Sequence, residues 1–332
     1  MNEVKGVTRK EYKGWQYVSD PSLQGNKSIA VIPPSPIEEP EFLYKYYGLS
    51  KNSIRALKNR YIYASCPLEL NDPFDSMNLL IDYRNVTDER KLRFFDYIGM
   101  PTDEIEENKD FLLKKYHKVF AAFLFSGMGI ISVTPDGTNP LMWAHYCNAH
   151  EGFAVKFKND KLKGNDKLAG PYPINYQNNW QPVDYVDSPP IAFLYQTNIK
   201  DSKWEYENEW RYVALGQNMY VPYGPEKPEL RENRKFGYDI EAIDEVVLGF
   251  RFVKNVVSGS EIEGVMDLDF ENVDKSDELN AKKDLLKFIH DNQVKCSRIV
   301  LKEGSSTFEL DTMPIKVVEV NLNVFHVTDF DI

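Results

Sequence analysis

Residues 204–211 hold the densest group of side chains that could do chemistry, in the order Trp-Glu-Tyr-Glu-Asn-Glu-Trp-Arg. Because alternate residues of a strand point to opposite faces, an extended conformation separates the charged side chains from the aromatic ones. The charged face would consist of Glu205, Glu207, Glu209 and Arg211. Three carboxylates on one face repel one another and cost stability unless cations or a substrate compensate. Glu207 and Glu209 are therefore candidate catalytic acids, bases or hydroxyl-binding groups, and a solvated strand face with a local Glu–Arg pair is the alternative.

A second candidate lies in residues 139–150, where Asn139 followed by Pro140 predicts the start of a helix. On a helix that runs to residue 150, the following residues share one face: Trp143, Tyr146 and His150. Such an aromatic stripe is either core packing or a platform for a ligand, and His145 points elsewhere. The two histidines are candidate catalytic residues, but their spacing does not match the i, i+4 pair of a helical zinc site.

The segment 71–75, Asn-Asp-Pro-Phe-Asp, crowds three short polar side chains around a proline. One interpretation is a pair of turns in which Asn71, Asp72 and Asp75 hydrogen-bond the backbone. The other is a binding role, in which one carboxylate orients an arginine or a substrate hydroxyl. Two adjacent carboxylates without further ligands specify no metal, so no metal is expected.

Composition and charge argue against several classes of protein. The chain has 332 residues, a net charge of −11 and a pI near 5.1, which argue against broad electrostatic capture of nucleic acid or anionic membrane. A nucleic-acid substrate reached through a local basic patch stays open. The motifs GxxxxGKS or GxxxxGKT, GxGxxG and GxSxG are absent, which disfavours a P-loop NTPase, a Rossmann enzyme or an α/β-hydrolase.

The expected location is the cytoplasm. Residues 1–13 are polar, and no run approaches the roughly 18 consecutive apolar residues of a membrane span, so neither a signal peptide nor a membrane segment is expected. The 3 cysteines are widely spaced, which supports neither a disulfide framework nor a structural zinc site.

The distribution of apolar residues predicts an α+β fold with a mixed, mainly antiparallel sheet core and flanking helices, because the strands show no regular βαβ alternation. Residues 1–41, rich in proline, are expected to form an extended N-terminal arm, and residues 42–332 a single domain that ends in an extension from residue 250. Strands are predicted at 42–47, 61–65, 128–133, 153–157, 174–176, 207–215, 244–249, 299–301, 307–310 and 317–327. Helices are predicted up to residue 58 and at 87–125 with a break near 99–102, 139–150, 192–199 and 275–293.

Several of these segments, taken together, resemble the bacterial domain-of-unknown-function 2971 family. The resemblance covers about residues 42–249. The matching segments are 43–46 (Leu-Tyr-Lys-Tyr), 71–75, 139–146 with His150 and Gly152, 203–211, and 244–249 (Asp-Glu-Val-Val-Leu-Gly). Tyr47 departs from the family, in which an arginine is common at this position, and this weakens any role for a cation there. The resemblance implies no established activity.

A more distant resemblance is to ADP-ribosyltransferases. That fold often opens with a strand bearing His or Arg next to Tyr, followed by a helix and a second strand bearing Ser or Tyr, and its catalytic Glu lies on a late strand. Residues 44–46, 53–58 and 63–65, and then Glu207 or Glu209, follow that order, although the histidine is missing. The resemblance implies NAD as cofactor and a glutamate that binds a ribose hydroxyl and stabilises the charge that develops as nicotinamide leaves.

The same resemblance implies roles for further residues. Lys45 and Tyr46 would contact NAD, with Ser65 on the second strand, while Arg211 and Asp75 would order the site. The protein would be an intracellular effector in phage defence or in a toxin-type conflict.

Two other functions use the same residues. A metal-dependent hydrolase or nuclease would rest on Asp72, Asp75, His145 and His150 together with the glutamates. A non-catalytic sensor or protein-interaction module would use the aromatic face of the helix at 139–150 for docking. The expected partner is a small-molecule or protein substrate, and the sequence does not specify the oligomeric state.

Overall fold

Helices and strands follow one another without a repeating βαβ order in the computed structural model, which describes residues 6–100, 102–216, 218–222, 224, 227–254, 256–258, 265–270, 276–304, 306–321 and 323–329. The strands are β1 (Thr8–Tyr12), β2 (Trp15–Ser19), β3 (Ile29–Ile32), β4 (Phe42–Tyr47), β5 (Tyr61–Tyr63), β6 (Met128–Val133), β7 (Phe153–Lys158), β8 (Leu168–Pro173), β9 (Asn175–Gln177), β10 (Ile199–Asp201), β11 (Trp210–Leu215), β12 (Lys235–Gly237), β13 (Ile243–Leu248), β14 (Val257–Ser258), β15 (Val265–Asp269), β16 (Lys295–Leu301), β17 (Leu310–Asn321) and β18 (Val324–Asp329). The α-helices are α1 (Lys51–Lys58), α2 (Asp88–Tyr97), α3 (Thr102–Gly127), α4 (Pro140–Tyr146), α5 (Asn159–Leu162), α6 (Pro189–Asn198), α7 (Pro228–Glu232) and α8 (Asp277–Asn292).

The largest sheet among the described residues has the strand order β14–β15–β18–β17–β16–β13–β7–β4. Its pairings are antiparallel except that of β13 with β16, and β9 pairs with β10 in parallel outside it. Helix α8 packs against β17 and α1. The prediction of an α+β fold with a mixed, mainly antiparallel sheet and flanking helices is confirmed.

A second sheet, in the order β6–β11–β8, positions the candidate site. Its middle strand β11 is buried from Trp210 to Ala214, as expected for a strand that is covered on both faces. Tyr44 of β4 forms a backbone bridge to Thr134, and Ser65 forms one to Ile130. Residues of β4, of the segment after β5 and of β11 therefore meet around β6.

Within the stretch predicted as an extended N-terminal arm, residues 8–32 form a three-stranded antiparallel sheet. Lys13 and Gly14 both have positive φ and connect β1 to β2 in a two-residue hairpin turn. Alternate residues of β2 are buried, and the hydroxyl of Tyr17 donates to Asn198 at 2.9 Å. The period-2 pattern in 15–19 was the missed signal. Residues 1–5 lie outside the described residues.

Most of the predicted helices are confirmed, with local differences. Ser50 and Ser53 form a capping box at the start of α1, and the predicted break separates α2 from α3. Helix α4 ends at Tyr146 rather than at residue 150. The single strand predicted at 317–327 is two paired strands, β17 and β18. Residue 275, the predicted start of the last helix, lies outside the described residues.

Among the helices that the structure describes, none is long and apolar enough to cross a membrane.

Candidate functional site

Arg211 is the centre of a buried group of charged side chains. Its Nε donates to Oε1 of Glu209 at 2.7 Å, and its Nη1 donates to Oδ1 of Asp75 and to the carbonyl oxygen of Thr197, both at 2.8 Å. Its Nη2 donates to Oδ2 of Asp75 at 2.5 Å and to Oε2 of Glu209 at 3.0 Å. A guanidinium has five N–H groups, and these contacts use all of them. Arg211 therefore holds two carboxylates in place and has no donor left for a ligand.

Lys200 of β10 links these carboxylates to a third one. Its Nζ donates to Oε2 of Glu207 at 2.5 Å and to Oε2 of Glu209 at 2.8 Å, and lies 3.7 Å from Oδ2 of Asp75. Three carboxylates against two cations leave one net negative charge in a buried cluster. Because an uncompensated buried charge is costly, this excess must be relieved by a proton or by a ligand.

The two glutamates differ in their electrostatic environment. Burial would raise the pKa of Glu209, but Arg211 and Lys200 outweigh burial and lower the pKa of Glu209 to about 2. Burial raises the pKa of Glu207 above its ordinary value, and this effect outweighs the opposing attraction of Lys200, while the charge of Glu209 adds to it. A pair of carboxylates whose pKa values are driven apart is typical of acid–base sites, in which one group stays ionised and the other exchanges a proton.

A hydrogen-bonded chain leads from Glu207 to the segment 71–75. The hydroxyl of Tyr146 donates to Oε1 of Glu207 at 2.6 Å, and Nδ2 of Asn71 donates to the Tyr146 oxygen at 3.0 Å. Helix α4 places Tyr146 because Asn139 caps the helix, accepting from the backbone of Leu141 at 3.0 Å. The Asn139 amide also donates to the Tyr206 carbonyl oxygen at 2.7 Å, which ties α4 to the segment that carries Glu207.

These groups line a cavity of about 250 Å³. Strand β4 contributes Tyr44, Lys45 and Tyr46 to its wall, and Ser65 and Glu69 lie beside them. A groove of about 1160 Å³ exists elsewhere on the protein, but none of the predicted site residues line it. The small cavity is therefore the candidate functional site.

Lys45 stands apart from the buried charge cluster. Its Nζ donates to the carbonyl oxygen of Ser132 at 3.3 Å, and no ion pair to a residue within the described part of the chain is formed. Burial lowers the pKa of Lys45 to about 8, although the negative charge of Glu209 opposes the shift. An ammonium has three N–H donors, so Lys45 can still donate to a ligand.

The structure brings most of the predicted site residues together. The cavity is lined by Lys45, Tyr46, Ser65, Asn71, Asp75, Tyr146, Glu207, Glu209 and Arg211. Both interpretations of the segment 71–75 apply, because Asp72 accepts from the Phe74 backbone at 2.9 Å in a turn while Asp75 orients Arg211. Sequence reasoning missed Lys200. The available signal was a lysine placed directly after the mostly apolar segment 189–199 and shortly before the acidic segment.

Four predicted site residues do not line the cavity. Trp143 is fully buried, and its indole Nε1 donates to the Gly137 carbonyl oxygen at 2.9 Å. His145 is exposed, with its ring centre 6.3 Å from that of Tyr206. Asp72 serves the turn, as described above. His150 lies beyond the end of α4, so the metal-dependent constellation of both histidines with Asp72 and Asp75 is not assembled in this cavity.

The placement of His150 with Trp143 and Tyr146 on one helical face was wrong. Three successive residues after α4, from Asn148 to His150, have positive φ and turn the chain away. The backbone N–H of His150 donates to the Trp143 carbonyl oxygen at 3.1 Å, which closes this turn. Burial lowers the pKa of His150, and its Nδ1 has no hydrogen-bond partner among the described residues.

The extended conformation considered for residues 204–211 is not formed, and the strand predicted at 207–215 begins only at Trp210. Ser202–Glu207 is a 3₁₀ turn that begins where Asp201 accepts from the Lys203 backbone at 2.9 Å. Asn208 then adopts the left-handed conformation, which asparagine tolerates better than most residues, before β11 begins. Glu205 is consequently exposed, whereas Glu207 and Glu209 turn toward Lys200.

Replacing Glu209 with glutamine is expected to cost more stability at neutral pH than in acid. The folded pKa near 2 lies below the ordinary value of 4.5, so the unfolded chain takes up this proton first. The stability that Glu209 contributes is complete above about pH 4.5 and is lost as the pH falls toward about 2. Urea titrations at about pH 7 and about pH 3 measure the difference. Glu205→Gln is the exposed control, and a Glu209→Gln deficit that is equal at both pH values would contradict this linkage.

The comparisons with known proteins agree with the family resemblance. No curated protein and no solved structure matches the chain. A family model matches residues 142–212. This region covers α4 from Met142 onward, the buried residues Lys200, Glu207 and Glu209, and the first half of β11. Over these residues the chain resembles the family described as protein of unknown function (DUF2971), in agreement with the resemblance predicted from the sequence.

Proposed function

We propose that the cavity is the active site of an ADP-ribosyltransferase-like enzyme that breaks the bond between nicotinamide and ribose in NAD. One observation carries the proposal: separate stretches of chain bring Lys45, Tyr46, Ser65 and Glu207 to one cavity of about 250 Å³. These residues come from β4, from the segment after β5 and from the 3₁₀ turn before β11. This is the order along the chain that the distant resemblance implies, except that Glu207 lies on a 3₁₀ turn before β11 and not on the late strand itself.

Glu207 is the residue that we assign to the ribose. Both oxygens of Glu209 are bound to Arg211, and one of them also to Lys200, so Glu209 is a fixed anion that positions the cluster. Among the described residues, Glu207 forms single hydrogen bonds with Tyr146 and Lys200, which leaves acceptor capacity on both oxygens. A carboxylate there can accept a hydrogen bond from a ribose hydroxyl and lower the energy of positive charge on the sugar.

The proposed step balances with NAD and water, or NAD and an acceptor hydroxyl, as its reactants. The bond from the ribose carbon to the nicotinamide nitrogen breaks, its electron pair leaves with neutral nicotinamide, and water or an acceptor hydroxyl forms the new bond to that carbon. The proton of the attacking group passes to solvent. The excess negative charge of the cluster formed by Asp75, Glu207, Glu209, Lys200 and Arg211 favours the transition state, in which positive charge develops on the ribose.

Tyr46 can stack against a flat ring of a ligand, such as the nicotinamide of NAD. Its hydroxyl donates to the Asp136 carbonyl oxygen at 2.7 Å, and its ring packs edge-on against Trp143 with centres 5.2 Å apart. Two such contacts fix the ring, so an aromatic surface in the cavity wall is preorganised for stacking at little entropic cost.

The wild-type protein is expected to bind NAD and to release nicotinamide from it, alone or with cell extract as a source of acceptor. Calorimetry measures the binding, and chromatography of the reaction measures nicotinamide. Absence of both binding and consumption, with and without extract, would overturn the proposal. The proposed biological role is that of an effector in phage defence or in a toxin-type conflict. In that role, expression of the protein is expected to arrest growth and to lower the concentration of NAD in the cell.

A further inference from the structure

A second chamber of about 710 Å³ adjoins the candidate active site. The two spaces share four wall residues: Lys45, Tyr46, Ser65 and Glu69. The outer chamber is also lined by residues of α1, β5, α7 and β12. A ligand that is longer than the inner cavity would extend into this chamber.

The two chambers carry opposite charge. The inner cluster has an excess negative charge, whereas the cations in the outer wall outnumber the acids. The outer cations are Lys45, Arg55, Arg231 and Lys235, and the acids are Glu69 and Glu232. Glu69 is committed to the backbone N–H of Cys66 at 2.8 Å. A molecule that spans both chambers is therefore favoured if its inner end is cationic or rich in hydroxyls and its outer end is anionic.

Two groups in the outer wall have donors to offer. Arg55 is exposed on α1, and its guanidinium makes no ion pair with a residue that the structure describes. The Tyr63 hydroxyl is buried, and it has no hydrogen-bond partner among the described residues. A buried hydroxyl without a partner is unfavourable, so it is a sign of a missing acceptor.

Two further cations of the wall, Lys235 and Arg231, are oriented by contacts with neighbouring side chains. Lys235 pairs with Glu232, and its Nζ lies 4.8 Å from the centre of the Tyr61 ring. The Arg231 guanidinium stacks on Tyr220 at 3.7 Å. The ring contacts orient these side chains, and the ion pair with Glu232 offsets part of the charge of Lys235. Arginine and tyrosine donors together suit the oxygens of a phosphate.

We propose that the outer chamber is a phosphate subsite in which Arg55 and Tyr63 donate to the diphosphate of a nucleotide and Lys235 supplies further positive charge. The ribose next to that diphosphate then reaches the inner cavity, and this part of the assignment rests on the proposed function. The ligand class is a nucleoside diphosphate or a larger nucleotide that contains one.

Calorimetric titration with ADP, adenosine and inorganic phosphate tests the subsite. The wild type is expected to bind ADP at least about tenfold more tightly than adenosine or phosphate, with an affinity that falls as salt rises. Arg55→Ala is expected to weaken ADP about tenfold and Tyr63→Phe several-fold, with adenosine unchanged in both. Lys58→Ala is the matched control, because Lys58 lies on the same helix and pairs with Asp284 outside this chamber.

Two results would overturn the subsite: ADP that binds no better than adenosine, or an Arg55→Ala variant with unchanged affinity for ADP. Circular dichroism confirms that each variant is folded. The outcome is separable from that of the proposed function. If the protein binds ADP but never consumes NAD, the phosphate subsite is supported and the proposed activity is contradicted. If it consumes NAD and Arg55→Ala leaves the KM for NAD unchanged, the activity is supported and the phosphate subsite is contradicted.

Discussion

Replacement of Arg211 with methionine is expected to lower the free energy of unfolding by about 3–5 kcal/mol, the typical cost of breaking a buried ion pair by removal of one partner. Methionine fills a similar volume but donates no hydrogen bond. Asp75 would lose two charge-assisted contacts and Glu209 another two. Among the described residues that form ion pairs with these three buried carboxylates, Lys200 alone would remain. The Thr197 carbonyl oxygen would also lose a donor.

Urea unfolding followed by circular dichroism measures this loss. Arg84→Met is the matched control, because Arg84 makes a similar two-point contact with Asp82 while its side chain is 77% exposed. Exposed ion pairs contribute little to stability, so the control is expected to leave the unfolding midpoint almost unchanged. If both variants lost the same amount, Arg211 could not be the residue that holds the buried carboxylates.

The parts of the site that could be predicted from the sequence depend on local signals. Asn139 before Pro140 predicted the start of α4, and the aromatic residues within 42–47 predicted β4. The hypothesis that a carboxylate of the segment 71–75 orients an arginine describes the contact between Asp75 and Arg211. Each of these rests on a cap, a turn or an alternating pattern, which a short stretch of chain determines by itself.

The rest depends on contacts between residues that lie far apart in sequence. Lys200 precedes Glu209 by few residues, but its contact with Asp75 depends on how the segment 71–75 packs against β11. The alternation of charge in residues 204–211 fits a strand as well as it fits a 3₁₀ turn. In the structure, residues 202–207 form the 3₁₀ turn, which Asp201 caps at its start and the left-handed Asn208 ends. Local periodicity cannot rank these alternatives, because tertiary context overrides it.

The same long-range packing explains why the two glutamates could not be told apart in the sequence. They are two residues apart, and nothing local separates their chemistry. Arg211 reaches Glu209 and not Glu207, and Tyr146 reaches Glu207 and not Glu209. These partners lower the pKa of Glu209, so that it is an anion at neutral pH, and leave Glu207 as the carboxylate with the raised pKa.

Glu207→Gln is expected to lower kcat/KM for NAD consumption by about 10²–10³-fold, the loss typical of removing one preorganised stabilising group. Glutamine keeps the shape and can still contact Tyr146 and Lys200, but it carries no charge to stabilise the ribose. Stability is expected to be unchanged or slightly higher. Since folding raises the pKa of Glu207, folding disfavours its ionised form, and a neutral side chain avoids that penalty.

The pH dependence separates this role from a structural one. Wild-type kcat/KM is expected to fall as the pH is lowered through the pKa of Glu207, which lies above the ordinary 4.5, because protonation removes the charge that acts on the ribose. In Glu207→Gln this acid limb should vanish, while Glu205→Gln, its exposed neighbour in the same 3₁₀ turn, should keep both the limb and the rate. A Glu207→Gln variant with the wild-type rate, or one whose loss of rate only follows a loss of folded protein, would take the catalytic role away from Glu207.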